Sequence, residues 1–98
     1  SWEGFALEQV LSGLSLRNEE SYFWSTHNQT ELDLLTFQNG KRIGYEFKYG
    51  DVPLLTLSMK IAASDLALDH LYVIAPKTKK HKLDSSVTAL TLEDLFKV

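Results

Sequence analysis

The sequence predicts an α/β (α+β) fold in which helices flank a mixed central sheet. Three strand-like segments follow one another and are rich in aromatic and β-branched residues: Ser21 to Thr26, Glu31 to Phe37 and Lys41 to Tyr49. A helix-like segment then leads to an almost wholly apolar run from His70 to Ala75, which is typical of a strand buried on both faces. Short turns join antiparallel strands and a helical crossover joins parallel ones, so both kinds of pairing are expected in one sheet.

The first element is predicted to be a helix from Trp2 to Leu14. Its apolar residues recur at steps of three and four, and they are Trp2, Ala6, Leu7, Val10, Leu11 and Leu14. On a helical wheel of about 100° per residue, Glu3 falls inside this apolar stripe and Glu8 falls at its edge. A carboxylate in the middle of a packed face needs a partner, so the pattern favours Glu3 over Glu8 as a buried acid with a role.

The remaining elements follow from turn and capping signals. Asn39-Gly40 predicts a hairpin between the second and third strands, and Pro53 closes the third strand. Thr56 or Ser58 can cap a second helix, whose predicted buried stripe is Met59, Ala62, Ala63 and Leu66. The predicted order is α, β, β, β, α, β, then a strand and a short helix at Val87 to Leu90 and Leu92 to Phe96.

Length and composition describe one compact domain. The chain has 98 residues, of which 44% are apolar and 23% charged, so a single domain over residues 1–98 is expected. A core helix that begins at Trp2 leaves no approach segment before it, which indicates a domain from a longer chain. The absence of cysteine excludes disulfides and thiolate metal sites and fits a reducing, cytoplasmic setting. No apolar run approaches the roughly eighteen residues that cross a bilayer, so no membrane association is expected.

Charge and motif content exclude several functions. A net charge of −3 means that any grip on nucleic acid must come from a local patch or from another domain. The basic run from Lys77 to Lys82 is the candidate patch, although its position between two strand-like segments favours a solvated loop. The three histidines, His27, His70 and His81, show no metal-ligand spacing. No glycine-rich phosphate loop occurs, so ATP hydrolysis is not expected in this chain.

Acidic residues and a lysine are placed so that they can converge. In strands, Asp33 with Glu31 and Glu46 with Lys48 each project as pairs from one face. Carboxylate oxygens are ligands that Mg²⁺ prefers, and a nearby cation suits the charge that develops in phosphodiester hydrolysis. The alternative is an ordinary ion pair between Glu46 and Lys48 on a solvated sheet edge. For Glu31, an exposed position or a backbone contact is favoured.

These residues belong to a longer ordered set of motifs. They are Trp2-Glu3-Gly4-Phe5, Tyr22-Phe23-Trp24, Thr26-His27, Glu31-Leu32-Asp33-Leu34-Leu35, Glu46-Phe47-Lys48, Pro53, Ser58-Met59 and Leu71-Tyr72-Val73-Ile74. The set covers nearly all of the chain. It resembles the carboxy-terminal domain of a family of bacterial and archaeal AAA-type ATPases, a domain of uncharacterised function that is itself similar to the PD-(D/E)XK restriction-endonuclease-like fold.

The resemblance implies specific roles and partners. Asp33 and Glu46 would be ligands of Mg²⁺, with Mn²⁺ as a substitute, and Glu3 would be the acid contributed by the helix. Lys48 would steady the attacking water or the phosphate. The domain would lie behind an ATPase module of the same chain and act on nucleic acid as a metal-dependent nuclease.

A catalytically silent module is the alternative function. The family usually has an arginine where Ser25 stands and often another at Leu54. Losing two cations beside the site weakens phosphate binding. In this interpretation the chain keeps a nuclease fold and its acids for stability or for docking to a partner or to the ATPase.

Overall fold

A computed structural model gives the fold, and it describes residues 1–14, 21–23, 32–50 and 52–97. The elements are α1 (Trp2–Gly13), β1 (Ser21–Phe23), β2 (Leu34–Gln38), β3 (Lys41–Phe47), α2 (Leu57–Asp65), β4 (His70–Ile74), β5 (His81–Asp84), β6 (Val87–Leu90) and α3 (Leu92–Leu95). This arrangement confirms the predicted class, a mixed sheet flanked by helices. No helix in these described ranges is long and apolar enough to cross a membrane.

One mixed sheet contains the six strands in the order β1-β2-β3-β4-β6-β5. The strands β1, β2 and β3 pair antiparallel, whereas β3, β4 and β6 run parallel, and β5 returns antiparallel along β6. Because β3, β4 and β6 point the same way, the residues that follow them meet at one end of the sheet. We call this region the carboxyl end, defined by residues 48–49 after β3, 75–77 after β4 and Thr91 after β6.

Two hydrophobic clusters cover the two faces of the sheet. On one face α1 and α3 pack over side chains that include Tyr45, Phe47 and Ile74. On the other face α2 packs through Met59 over side chains that include Leu71. Since side chains alternate along a strand, Tyr45 and Phe47 facing α1 place the intervening Glu46 on the α2 side.

Caps define where the helices begin. Thr56 rather than Ser58 caps α2, and its hydroxyl accepts a hydrogen bond from the amide of Met59 at 3.1 Å. Of the predicted stripe on α2, Met59 and Ala62 are buried, whereas Ala63 and Leu66 are half-buried. The first helix ends at Gly13, with Leu14 as its cap. Of the first predicted strand, residues 24–26 lie outside the described part of the chain.

The expected burial of Glu3 is wrong, because Glu3 is exposed. The buried residues of α1 are Ala6 and Val10, and Trp2 packs half-buried against the same cluster, whereas Glu3 in the first turn is not covered by the rest of the fold. A negative charge at that place interacts favourably with the positive end of the helix dipole, which gives Glu3 a structural reason for its charge.

The prediction of a solvated loop from Lys77 to Lys82 is correct for only part of this segment. Lys77, Lys79 and Lys80 are exposed and lie outside helices and strands, but His81 and Lys82 begin β5 and pair with β6. The side chains of β5 are mostly exposed. Such a short edge strand is stabilised by its neighbour, and its own sequence carries only one packed apolar residue, Leu83.

Gly44 is required by close packing on the α2 face of β3. A Cβ atom there would lie 2.6 Å from Leu68 Cδ1, 2.8 Å from Leu32 Cδ1 and 3.2 Å from Leu71 Cδ1. We expect Gly44→Ala to lower the free energy of unfolding by about 1–3 kcal/mol through overpacking, measured by urea denaturation. Gly4→Ala is the matched control, because its Cβ would meet only Ser1 Oγ at 3.4 Å. Equal stabilities for the two variants would contradict this account of the core.

Candidate functional site

The carboxylate of Glu46 is buried in the sheet near the end of β3. Only 3% of the residue is exposed. Its Oε1 atom lies 3.5 Å from Nζ of Lys48, whose side chain is 40% exposed, and its Oε2 atom is inaccessible to solvent. The pair therefore shares one face, as the alternation predicts. It does not lie on a solvated edge, because β3 is paired on both sides and Glu46 is covered.

Asp33 is held against the backbone of β3 beside Glu46. It comes immediately before β2, whose register with β3 begins at the pair Leu34 and Tyr45. The amide of Asp33 donates to the carbonyl of Tyr45 at 3.0 Å, and its Oδ2 accepts a hydrogen bond from the amide of Phe47 at 2.8 Å. The carboxylate thus takes the place of a backbone carbonyl in the ladder, which fixes it at the amide of the residue that follows Glu46.

Lys48 extends the pairing of β3 with β4 by one residue. Its amide donates to the carbonyl of Ile74 at 2.9 Å, so the backbone is held while the side chain reaches back to Glu46. The side chain also borders a cavity of about 270 Å³, whose other lining residues are Tyr49, Val52, Pro53, Leu54, Thr56 and Met59. A cavity therefore adjoins Lys48.

Glu3 is not joined to this group. It is exposed on α1, and α1 packs on the sheet face opposite to Glu46. No three Asp, Glu, His or Cys residues of the described ranges are close enough together to hold a metal ion. Glu8 is exposed as well, so burial does not select one helical acid over the other. Glu31 lies outside the described residues.

The start of α1 nevertheless lies near the carboxyl end. The ring of Trp2 contacts the ring of Tyr49, with centroids 6.1 Å apart and planes tilted by 49°. Tyr49 directly follows Lys48 and is 69% exposed. Tyr49 was not predicted from the sequence to be a site residue. The available signal was an aromatic residue between the lysine and Gly50, a glycine that adopts a φ of +123° as the chain turns away.

A second cavity lies at the same end of the sheet. Its volume is about 330 Å³ and it is lined by Tyr49, Gly50, Pro76 and Lys77. The parallel register pairs Phe47 with Ile74, so the residues after β3 and β4 are neighbours. This arrangement brings the first lysine of the basic run close to the segment that carries Lys48.

A larger cavity, of about 430 Å³, lies at the opposite end of β3 near the β2–β3 hairpin. Gln38 and Tyr45 line it, and the Gln38 amide donates to the Tyr45 hydroxyl at 2.9 Å and to Thr36 Oγ1 at 2.7 Å. Burial raises the pKa of Tyr45 above its ordinary value, so the phenol stays protonated and serves this packed network. None of the predicted site residues lines this cavity.

The donor atoms of the site suit a hard cation. Asp33 and Glu46 offer only carboxylate oxygens, which are ligands of Mg²⁺ and Mn²⁺ and not the nitrogen and sulfur set of a structural zinc site. Mg²⁺ keeps several waters and is commonly held by one or two carboxylates plus substrate phosphates. Asp33 and Glu46 are carboxylates of the kind that Mg²⁺ uses in this way.

One protein family and two similar proteins each match nearly the whole chain. Residues 1–95 match the family described as "Domain of unknown function (DUF4143)". Two similar proteins are the uncharacterized protein Mb2031c of Mycobacterium bovis and the uncharacterized protein Rv2008c of Mycobacterium tuberculosis, each 34% identical over 96 residues. The match covers 98% of this chain but 21% of each relative, so the chain spans about a fifth of their length. No solved structure matches the chain.

The hydrogen bond from Phe47 to Asp33 gives a prediction about stability. Phe47 is buried, and Asp33→Ala would leave its amide without that acceptor. We expect Asp33→Ala to lower the free energy of unfolding by about 1–3 kcal/mol. Asp33→Asn keeps an oxygen at the same position and should lose clearly less. Urea denaturation of both variants measures the difference, and equal losses would show that the carboxylate does not support the β3 backbone.

Proposed function

The chain belongs to the DUF4143 family, and we propose that it is a nuclease-like domain that hydrolyses phosphodiester bonds of nucleic acid with the help of Mg²⁺. The observation that carries this proposal is the buried carboxylate of Glu46, which lies beside Lys48 and next to Asp33 at the carboxyl end of the sheet. In open sheets with parallel strands, ligands bind preferentially at this end.

The energetics of Glu46 support a functional interpretation. Removing a carboxylate from water is costly, and a single partner ammonium group offsets that cost only in part. An apolar residue of similar size would pack at this position at least as well. Buried ionisable groups with a specific charged partner, placed next to a cavity, are characteristic of functional sites.

The residues have distinct roles in the proposal. Asp33 and Glu46 would hold Mg²⁺, which when bound would supply positive charge to a phosphoryl oxygen. The hydrogen bond from the Phe47 amide orients the Asp33 carboxylate. Lys48 would place its ammonium group against the phosphate or the attacking water. Glu3 has no role in this set, because it is exposed on α1, across the sheet from Glu46.

We also propose a fold family for the domain and a larger protein in which it works. Its strand order and acid positions are compatible with the PD-(D/E)XK restriction-endonuclease-like fold, which we propose as its fold family. Because relatives are about five times longer than the chain, we propose that the domain works within a larger cytoplasmic protein, behind an AAA-type ATPase module. That module would hydrolyse ATP and would supply part of the affinity for nucleic acid.

A catalytically silent interaction or regulatory module is the second candidate. Two observations favour it: one oxygen of Asp33 is used by the backbone of β3, and Glu3 is exposed on the other layer of the fold. In that case the Glu46–Lys48 pair and Asp33 would stabilise the end of the sheet, and docking of partners would be the function.

Calorimetric titration with Mg²⁺ and Mn²⁺ separates the two candidates. We expect the parent chain to bind metal at millimolar concentration or below, and Glu46→Gln to weaken binding by about tenfold or more, which is 1.4 kcal/mol. Glu8→Gln, the same chemical change at an exposed acid of α1, is the matched control and should bind like the parent. Far-ultraviolet circular dichroism verifies that each variant is folded.

Cleavage assays complete the test. Labelled DNA and RNA, single-stranded and duplex, are incubated with Mg²⁺ and the parent, and Lys48→Ala should lose the activity while it retains metal binding. If the parent binds neither metal at millimolar concentration, the nuclease proposal is wrong and the silent module is the function. Metal binding that persists in Glu46→Gln would also contradict the proposed site.

A further inference from the structure

Tyr49 presents an aromatic ring to solvent directly after the proposed site. It is 69% exposed, whereas tyrosine side chains in folded proteins are on average of intermediate burial. Trp2 supports the ring from one side at a centroid distance of 6.1 Å. The backbone before it is held by the hydrogen bond from Lys48 to Ile74. The ring is therefore positioned by the fold and open on its remaining surface.

Two lysines flank this ring. Tyr49 and Lys48 line the cavity of about 270 Å³, and Tyr49 and Lys77 line the cavity of about 330 Å³. Tyr49 thus borders both cavities, and each has one lysine among its lining residues. The parallel pairing of β3 with β4 causes this juxtaposition, because it places the ends of both strands together.

We infer that Tyr49 is a stacking platform for a base of single-stranded nucleic acid and that Lys77 contacts the adjacent phosphate backbone. This inference rests on the proposed function for its choice of ligand class and deepens it by naming the substrate form. Exposed aromatic rings next to cations are the common means of binding single strands, because every base has a face that can stack. In a duplex the base faces are already stacked on neighbouring pairs, so the ring has no surface to contact.

The charge distribution sets the character of the interaction. A net charge of −3 opposes nucleic acid in general, so the attraction must be local and involve few phosphates. Stacking on Tyr49 contributes affinity that hardly depends on salt, whereas the contact of Lys77 releases a counterion. The exposed apolar residues nearby, Val52, Leu54 and Leu57, are also compatible with docking of a protein. The lysine in each cavity favours nucleic acid.

Fluorescence anisotropy with a labelled oligonucleotide tests the inference. The full 98-residue chain is titrated into single-stranded oligothymidine, oligouridine and a duplex of equal length, all in EDTA so that no metal takes part. We expect both single strands to bind more tightly than the duplex. Tyr49→Ala should weaken single-strand binding by about tenfold or more, and Tyr49→Phe should bind like the parent.

The salt dependence separates the roles of the ring and the lysine. Lys77→Ala should reduce the slope of log K against log salt by about 0.7 for a single strand, whereas Tyr49→Ala should leave the slope unchanged. Lys79→Ala is the matched control, because Lys79 carries the same charge in the same exposed segment but lines neither cavity. Circular dichroism and tryptophan fluorescence, to which Trp2 and Trp24 both contribute, are compared between the parent and the Tyr49 variants to verify that the fold is retained.

Three results would overturn the inference: parent-like affinity of Tyr49→Ala, duplex binding as tight as single-strand binding, or no oligonucleotide binding at millimolar protein, which would favour a protein partner. These outcomes differ from failure of the nuclease proposal. Tyr49-dependent binding in EDTA together with no metal binding would retain the platform and remove the nuclease. Metal-dependent cleavage with a KM unchanged by Tyr49→Ala would retain the nuclease and remove the platform.

Discussion

The burial of one charged group, the Glu46 carboxylate, is the constraint on which the site depends. Its position follows from alternation along β3, which sends Tyr45 and Phe47 towards α1 and therefore Glu46 towards α2. Burial makes the charge costly, so neighbouring groups must compensate for it. Lys48 does so with an ammonium group 3.5 Å away that remains partly in water. The covered acid therefore lies beside a lysine whose side chain is 40% exposed, near the carboxyl end of the sheet.

The topology of the sheet brings other groups to the same end. Parallel pairing of β3, β4 and β6 brings their carboxyl ends together, and the antiparallel entry of β2 places Asp33 at the same end. The contact between Trp2 and Tyr49 adds the start of α1. Acids, a lysine and an exposed aromatic ring are therefore collected from separate segments by backbone pairing.

Most of the architecture could be predicted from the sequence, because periodicity is a local property. The apolar run of β4, the Asn39-Gly40 turn and the Thr56 cap each leave a signal within a few residues. The exposure of Glu3 could not be read from a helical wheel, since a wheel shows direction but not which part of each turn the rest of the fold covers. Similarly, β5 depends on pairing with β6 and has little apolar pattern of its own.

The candidate site was only partly predictable for the same reason. The proximity of Glu46 to Lys48 follows from strand alternation, and the structure confirms it. The backbone role of Asp33 and the position of Tyr49 next to Lys77 depend on how distant segments meet. The residue pattern along one strand contains no information about contacts between distant segments.

Paramagnetic broadening by Mn²⁺ in amide NMR spectra tests the central claim most directly, because Mn²⁺ broadens nuclei close to where it binds. If Glu46 and Asp33 hold a divalent cation, substoichiometric Mn²⁺ should first remove the amide signals of Asp33, Phe47 and Lys48 and spare those around Glu8. Broadening that begins at exposed acids, with the signals of residues 46–48 unaffected, would contradict the account.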